Sequence, residues 1–309
     1  MKASRLDKRN VEKVWGRQHL PRAFGADGAC PVGEIWFQDR TGGDAELLIK
    51  YLLTSEKLSI QVHPDDAVAR TRGYKRGKDE AWLIIDAEPG ARIGLGLRRE
   101  MTKEGLRAAA LDGSIEDLID WREARAGDFL YSPAGTIHAL GPGLTLIEIQ
   151  QNVDLTYRLY DYGRPRPLQL DEAIEAARPE PFRAPFQPYR HGPGRQILAE
   201  GPAFVVERWT EAAGGQLAGE AKRPVWLIPV AGSGLIDDEP LAPPEVWLVE
   251  AQSRVRIDPG SEMLFAYPGD RIIEDLLVDT RRGGGEILPD DRRTYVPPVR
   301  ISPSFYEDE

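Results

Sequence analysis

Four histidines occur in this 309-residue chain, few enough to judge each by its surroundings. His19 and His191 lie among basic and loop residues and read as ordinary solvated or structural histidines. His63 and His138 sit in patterned segments. The first segment is Lys57-Leu-Ser-Ile-Gln-Val-His-Pro64. On a strand, Gln61 and His63 point to one face while Ile60 and Val62 point to the other. The second is Gly77-Lys-Asp-Glu-Ala-Trp82, where Lys78 and Glu80 share a face if a strand begins early enough. The third runs from Gly127 through Pro133 and Gly135 to His138. As neighbours in a barrel these segments would bring Gln61, His63, Glu80 and His138 onto one divalent cation. Two imidazoles, a carboxylate and an amide oxygen suit Zn2+ best, with iron or manganese as the other candidates. Such a set leaves the ion with residual positive charge, and with one open position it acts as a Lewis acid on substrate oxygens.

A fourth segment carries a polar face. From Leu144 to Leu159 the chain alternates, with Glu148, Gln150, Asn152, Asp154, Thr156 and Arg158 at even positions. Ile147, Ile149, Gln151, Val153, Leu155, Tyr157 and Leu159 fall at odd ones. This is a period-2 strand or strand pair. By pattern alone, solvent explains the polar face as well as function does. However, Gln, Asn and Asp are mediocre strand formers. The segment also follows His138 closely, so an antiparallel barrel would pair it with the strand bearing that histidine. Acid, amide and guanidinium groups in a barrel mouth suit a hydroxyl-rich anionic ligand.

Short strands must hold these groups. With 31 Gly and 25 Pro, tight turns are frequent and long helices few. Strands are expected at 47–53, 58–62, 80–86, 129–132, 144–159, 203–209, 225–230, 246–249 and 263–267. Helical patches are expected at 65–74, 102–111, 114–121 and 171–177, with Ser114 as an N-cap. Many closely spaced strands favour a sandwich or barrel. The Pro- and Arg-rich stretch 178–194 reads as a linker. It would join residues 1–177, carrying a helical insert at about 99–121, to a smaller all-β unit, 195–309, with an extended tail over 290–309. Gly94-Leu-Gly96 lacks the third glycine of a dinucleotide loop and reads as a turn. Gly283-Gly-Gly285 reads as a loop, and Trp226 and Trp247 as core of the second barrel.

Composition narrows the setting. The chain has 40 Lys+Arg against 50 Asp+Glu, a net charge of −10. That balance argues against nucleic acid or an anionic membrane as partner and, on its face, against a phosphorylated substrate. A single cysteine, Cys30, forms no intrachain disulfide. With no signal-like N-terminus and no apolar stretch near the ~20 residues of a membrane span, a cytoplasmic protein is expected.

The third segment matches the second motif of the cupin barrel, Gly-x5-Pro-x-Gly-x2-His. Taken with Leu58–Pro64, Gly77–Trp82 and Glu148–Arg158, and with Val14-Trp-Gly16 and Gly33-Glu-Ile-Trp36, it resembles type I mannose-6-phosphate isomerase (phosphomannose isomerase) in its short bacterial form. The motifs span about residues 15 to 164 in family order; beyond, the likeness is to a degenerate second cupin. The resemblance implies a mainly β bicupin with small helical insertions. It implies a zinc enzyme that interconverts mannose 6-phosphate and fructose 6-phosphate, as a monomer or homodimer. Family metal ligands fall on Gln61, His63, Glu80 and His138, its active-site lysine on Lys78, its arginine on Arg158, and its proton-transfer acid on Glu148. Lys57 and Ser59 fall where the family lines the pocket near the sugar phosphate, and Asp154 would orient Arg158. Asp79 stands where Thr is common, and Val153 where Ser is usual. A non-catalytic sugar-phosphate-binding cupin is the alternative, but Lys78, Glu148, Arg158 and the four ligands are all intact. Gln61 in place of a first histidine argues against an iron dioxygenase, and an inward charged face against a storage protein.

Overall fold

The computed structural model describes residues 3–25, 30–39, 43–210, 213–217 and 223–278. The tail 290–309 and the loop Gly283-Gly-Gly285 lie outside the described residues. Alternating and apolar runs form strands throughout. Asp7–Arg17, Val32–Gln38, Leu47–Leu53, Leu144–Gln151, Glu80–Ala87 and Phe129–Ser132 lie in that order in one antiparallel sheet. A five-stranded sheet, Tyr157–Tyr160, Ile60–Val62, His138–Leu140, Arg92–Leu97 and Ile119–Glu123, closes over it. Leu52, Trp82, Ile84 and Leu146 from the first sheet pack with Ile93, Leu95 and Leu140 from the second, and with Leu58 just before it, to fill the barrel.

A second barrel follows. Its seven-stranded sheet is built on Phe204–Trp209, Val225–Ala231 and Glu262–Pro268, and a five-stranded sheet around Ser253–Ile257 opposes it. The architecture is thus the mainly β bicupin. The two large sheets pack face to face: Ile35, Phe37, Ile49, Ala81, Leu83, Ile147 and Ile149 meet Val206, Trp226, Ile228, Leu248, Leu264 and Ala266. The large sheet of the first barrel is therefore buried on both sides, and every residue of Leu47–Leu53 is buried. The outer face of the small sheet is covered by helices. Leu106, Ala109 and Ala110 of Lys103–Asp112, Ile115 of Ile115–Leu118, and Ala173 and Ile174 of Leu170–Ala176 pack there on Ile60, Val62, Leu97 and Ala139.

Several expectations need correction. The alternating run 144–159 is two strands in different sheets, Leu144–Gln151 and Tyr157–Tyr160. The first pairs with Leu47–Leu53 and Glu80–Ala87, not with the His138 strand. Gly94-Leu-Gly96 is strand, not turn, with Leu95 opposite His138. Its glycines answer to close approach: a Cβ on Gly94 would lie 2.5 Å from Ile119 Cγ2, and one on Gly96 2.4 Å from the Phe182 nitrogen. Ser114 has helical φ and ψ and caps nothing with its side chain; the working N-cap is Thr102, whose hydroxyl accepts from the Gly105 N–H at 3.1 Å. Trp226 faces the first barrel, whereas Trp247 does belong to the second barrel's core. Ala3–Arg5 pairs with Trp247–Val249, so the chain starts in the second barrel's sheet.

Candidate active site

The small sheet supplies three of the four nominated ligands. His138 and Gln61 are register partners on neighbouring strands, which sets them side by side, the Gln61 amide nitrogen 3.3 Å from His138 Nε2. His63 lies two residues beyond Gln61 and so returns to its face. Glu80 reaches across from the large sheet. Its Oε1 is 3.2 Å from His63 Nε2 and its Oε2 is 3.4 Å from His138 Nε2. His63, Glu80 and His138 are all buried, each with a ligand atom within 4.8 Å of the other two.

Each imidazole turns Nδ1 to a backbone carbonyl, His63 to Leu155 at 2.8 Å and His138 to Thr136 at 3.0 Å. A carbonyl only accepts, so Nδ1 carries the hydrogen and Nε2 is left as a bare lone pair facing Glu80. His63 Nε2 and Glu80 Oε2 are buried without a hydrogen-bond partner among the described residues. Lone pairs converging in a buried site are costly unless a cation lies between them. His63, Glu80 and His138 therefore form a group fit to hold a metal ion. Burial lowers both imidazoles, His138 to about 4 despite the opposing charge of Glu80, and neutral imidazole is the ligating form. Burial raises the Glu80 carboxyl, but with both imidazoles neutral the Lys78 ammonium is the charge that opposes this and holds Glu80 below the usual carboxylate range. Lys78 Nζ lies 2.7 Å from Glu80 Oε1.

The segments bearing these groups are laced by their backbones. Lys78 N–H donates to Pro64 C=O at 3.0 Å, and Gly135 N–H to His63 C=O at 2.8 Å. Gln151 takes the Asp79 N–H on its side-chain oxygen at 3.0 Å and gives its own N–H to Asp79 C=O at 3.1 Å. Asp66 accepts from Gly77 N–H at 2.8 Å and from the Gln151 amide at 3.1 Å.

On the barrel-facing side of the large sheet, register places Glu148 between Lys50 and Trp82. Its Oε1 is 3.1 Å from Lys50 Nζ, and its Oε2 accepts from Trp82 Nε1 at 3.1 Å. Lys50 also stands 3.8 Å from Glu34 and 4.8 Å from the Trp36 ring centroid. Glu34 accepts from Trp36 Nε1 at 2.5 Å and meets Lys13 at 3.2 Å. Burial opposes the Lys50 charge, but Glu148, Glu34 and Glu80 outweigh it and raise the ammonium above the ordinary lysine range.

The remaining nominated residues are more dispersed. Arg158 is the register partner of Gln61, and its Nε is buried without a hydrogen-bond partner among the described residues. Ser59 donates to the Gln61 side-chain oxygen at 3.0 Å. Asp154 is exposed and makes no hydrogen bond to Arg158; it acts on that cation only through its charge. Lys57 is paired with Glu116 from the helical insert and stands over the rings of Trp121 and Tyr162. The geometry brings Gln61, His63, Lys78, Glu80 and His138 together, and leaves Lys57 engaged at the barrel's edge.

No family model matches the chain. Mannose-6-phosphate isomerase of Streptococcus mutans is 36% identical over 271 residues, 73% of this chain and 84% of that protein. The chain belongs to the mannose-6-phosphate isomerase family. ManA of Bacillus subtilis, of the same name, is 34% identical over 220 residues, 64% of this chain and 67% of that protein. Among solved structures, the mannose 6-phosphate isomerase of Bacillus subtilis superposes with a TM-score of 0.74 at 26% identity, over 86% of this chain and 99% of that one. A variant of phosphomannose isomerase from Salmonella typhimurium shares the fold, with a TM-score of 0.66 at 14% identity over 87% and 100% of the two chains.

Within this mannose-6-phosphate isomerase family member, sequence reading missed Lys50, Glu34 and Gln151. Lys50 left a signal: one charge in Leu-Leu-Ile-Lys-Tyr-Leu-Leu, a run too apolar to tolerate it without a buried partner. Gln151 left none, because its part is played through backbone partners that only the folded register supplies.

Proposed function

We propose that this chain interconverts mannose 6-phosphate and fructose 6-phosphate through a cis-enediol, with one Zn2+ held by Gln61, His63, Glu80 and His138. The observation that carries the metal reading is the pair of Nδ1-tethered imidazoles whose Nε2 atoms face a buried carboxylate. Gln61 would ligate through its oxygen, the two ends of the amide being exchanged by a side-chain rotation. When bound, the ion supplies positive charge to oxygens that become anionic during enolisation. Lys78 adds a second positive charge beside it. Glu148 is the base we assign, moving the proton between the two carbons alpha to the migrating carbonyl. Lys50 and Trp82 fix its two oxygens. Arg158 is assigned to the phosphate, since its partnerless Nε leaves bonding capacity for an anion. Ser59 lines that end. Lys57 would join by exchanging Glu116 for phosphate, and Asp154 would bias Arg158 electrostatically.

No helix among the described residues is long and apolar enough to cross a membrane. With one exposed cysteine and no disulfide, a cytoplasmic setting is our reading, as a monomer or homodimer. We also read residues 1–177 as the catalytic unit, with Ala3–Arg5 lent to the second barrel's sheet, 178–194 as the linker and 195–309 as a second unit without a histidine-based site.

A coupled assay with mannose 6-phosphate, run before and after chelation and again after Zn2+ is restored, tests the reading. Activity should vanish with the metal and return with it. No turnover in zinc-loaded protein would sink the isomerase reading and favour the sugar-phosphate-binding alternative; turnover indifferent to chelation would sink the metal role. In the same assay Glu148→Gln should lower kcat by about 10²–10⁴ with zinc still bound, and near-normal turnover would move the base elsewhere.

A further inference from the structure

The turn that delivers His138 is held from two sides by side chains outside the ligand set. Asp79, between Lys78 and Glu80, points away from the metal site on the alternation of its strand. Its Oδ1 accepts the Ala134 N–H at 2.8 Å and its Oδ2 accepts the Tyr131 hydroxyl at 2.5 Å. Asp79 is 6% exposed, so these two bonds account for a carboxylate removed from water. From the other side, Arg178 Nη2 donates to Ala134 C=O at 2.7 Å, and the Arg178 N–H to Gly135 C=O at 2.8 Å. Gly135 in turn needs its φ of +87°, and its missing Cβ leaves room for Arg178, whose Nε would lie 3.1 Å from one. The next residue, Thr136, carries the carbonyl that accepts His138 Nδ1–H and so sets which imidazole nitrogen is bare.

We propose that Asp79 and Arg178 are positioning residues that clamp the Pro133–Gly135 turn and thereby hold the Thr136 carbonyl against His138. The clamp presents Nε2 to the metal. Asp79 is one bond from Glu80 along the chain and one hydrogen bond from the turn, so it also fixes the Glu80 strand against the His138 segment. Tyr131 carries the same carboxylate toward the second barrel: it packs on Phe204 and Phe186, with ring centroids 5.2 and 5.3 Å away. A threonine at position 79 offers one oxygen, whereas aspartate offers two and can hold the turn and Tyr131 at once.

This inference rests on Gln61, His63, Glu80 and His138 being metal ligands, and its test separates the two readings. Zn2+ alone is titrated into chelator-stripped full-length protein against a chromogenic competitor, so that affinity is read without turnover. Wild type must bind for the site reading to stand. Asp79→Ala should then bind about 10–100-fold more weakly. Asp79→Asn, which keeps an oxygen for Ala134 N–H, should stay within about threefold of wild type. Tyr131→Phe removes a bond to Asp79 without touching the turn; it should lower the melting temperature while leaving zinc affinity within about threefold. Arg178 is exposed, so Arg178→Ala tests the clamp even if Asp79→Ala does not fold, and a loss of about threefold or more is expected. Wild-type zinc affinity in folded Asp79→Ala or in Arg178→Ala overturns the proposal. So does an equal loss in Asp79→Ala and Tyr131→Phe, which would mark general destabilisation.

Discussion

Lys50 compresses the electrostatics of the site into one side chain. It is 4% exposed, with Glu148 at 3.1 Å and Glu34 at 3.8 Å. Removing a buried charge does not return its partners to water; it strands them. Lys50→Met should therefore destabilise the protein by about 3–5 kcal/mol at neutral pH, read as a shift in urea midpoint. The pH dependence has a definite sign. Burial raises the Glu34 carboxyl, but Lys50 and Lys13 outweigh it and hold it below its ordinary 4.5. Stability from a depressed carboxyl is present above the unfolded value and lost as pH falls through the folded one. As pH falls below about 4.5 toward the lower folded value, wild type should lose more stability than Lys50→Met, whose Glu34 is no longer depressed by that cation. An equal acid-side loss in both proteins would show that Lys50 does not govern Glu34.

At the scale of elements, the site depends on backbones passing unusually close. Gly77 opens the Gly-Lys-Asp-Glu segment where it crosses the start of the helix Asp66–Thr71. A Cβ there would lie 2.4 Å from the Asp65 carbonyl carbon and 2.6 Å from the Pro64 oxygen, both backbone atoms that no side-chain rotation can clear. Gly77→Ala should cost about 1–3 kcal/mol and shift Lys78, whose N–H is bound to Pro64 C=O. Thermal unfolding reads the first effect and the coupled assay the second; an unchanged melting temperature would mean that the crossing relaxes freely. Such crossings explain what could be read before folding. Gln61, His63, Glu80 and His138 were legible because alternation along a strand assigns faces locally. The pairing of Leu144–Gln151 was not, because strand order in a sheet is decided by contacts distant in sequence. Gly94 and Gly96 suggested a turn for the same reason: the groups that forbid a Cβ there, the Ile119 side chain and the Phe182 backbone, come from elsewhere in the chain. Asp79 was visible only as a departure from its family, without a hint that it reaches Ala134.

At the scale of the molecule, a net charge of −10 says little about substrate, because the potential in a site is set by the groups that line it, here Lys50, Lys78 and Arg158 set among Glu34, Glu80 and Glu148. Burial is likewise shared. The sheet that carries Glu80 and Glu148 presents Ala81, Leu83, Ile147 and Ile149 on its other face, and these are covered by the second barrel. The first barrel therefore lacks a solvent-compatible outer wall of its own, and the strand Ala3–Arg5 adds a backbone link to the second. Such an arrangement should unfold as one unit. Trp226, 1% exposed and set in the interface, is the position that tests it: Trp226→Ala should cost about 3–5 kcal/mol. The variant lies in the second barrel, but release of Zn2+ loaded into the site proposed in the first should move to lower denaturant together with the loss of global fluorescence and circular dichroism signals. If zinc release held its wild-type midpoint while the other signals shifted, the metal site would be stable without its neighbour. The second barrel would then be an appendage and not the missing wall of the first.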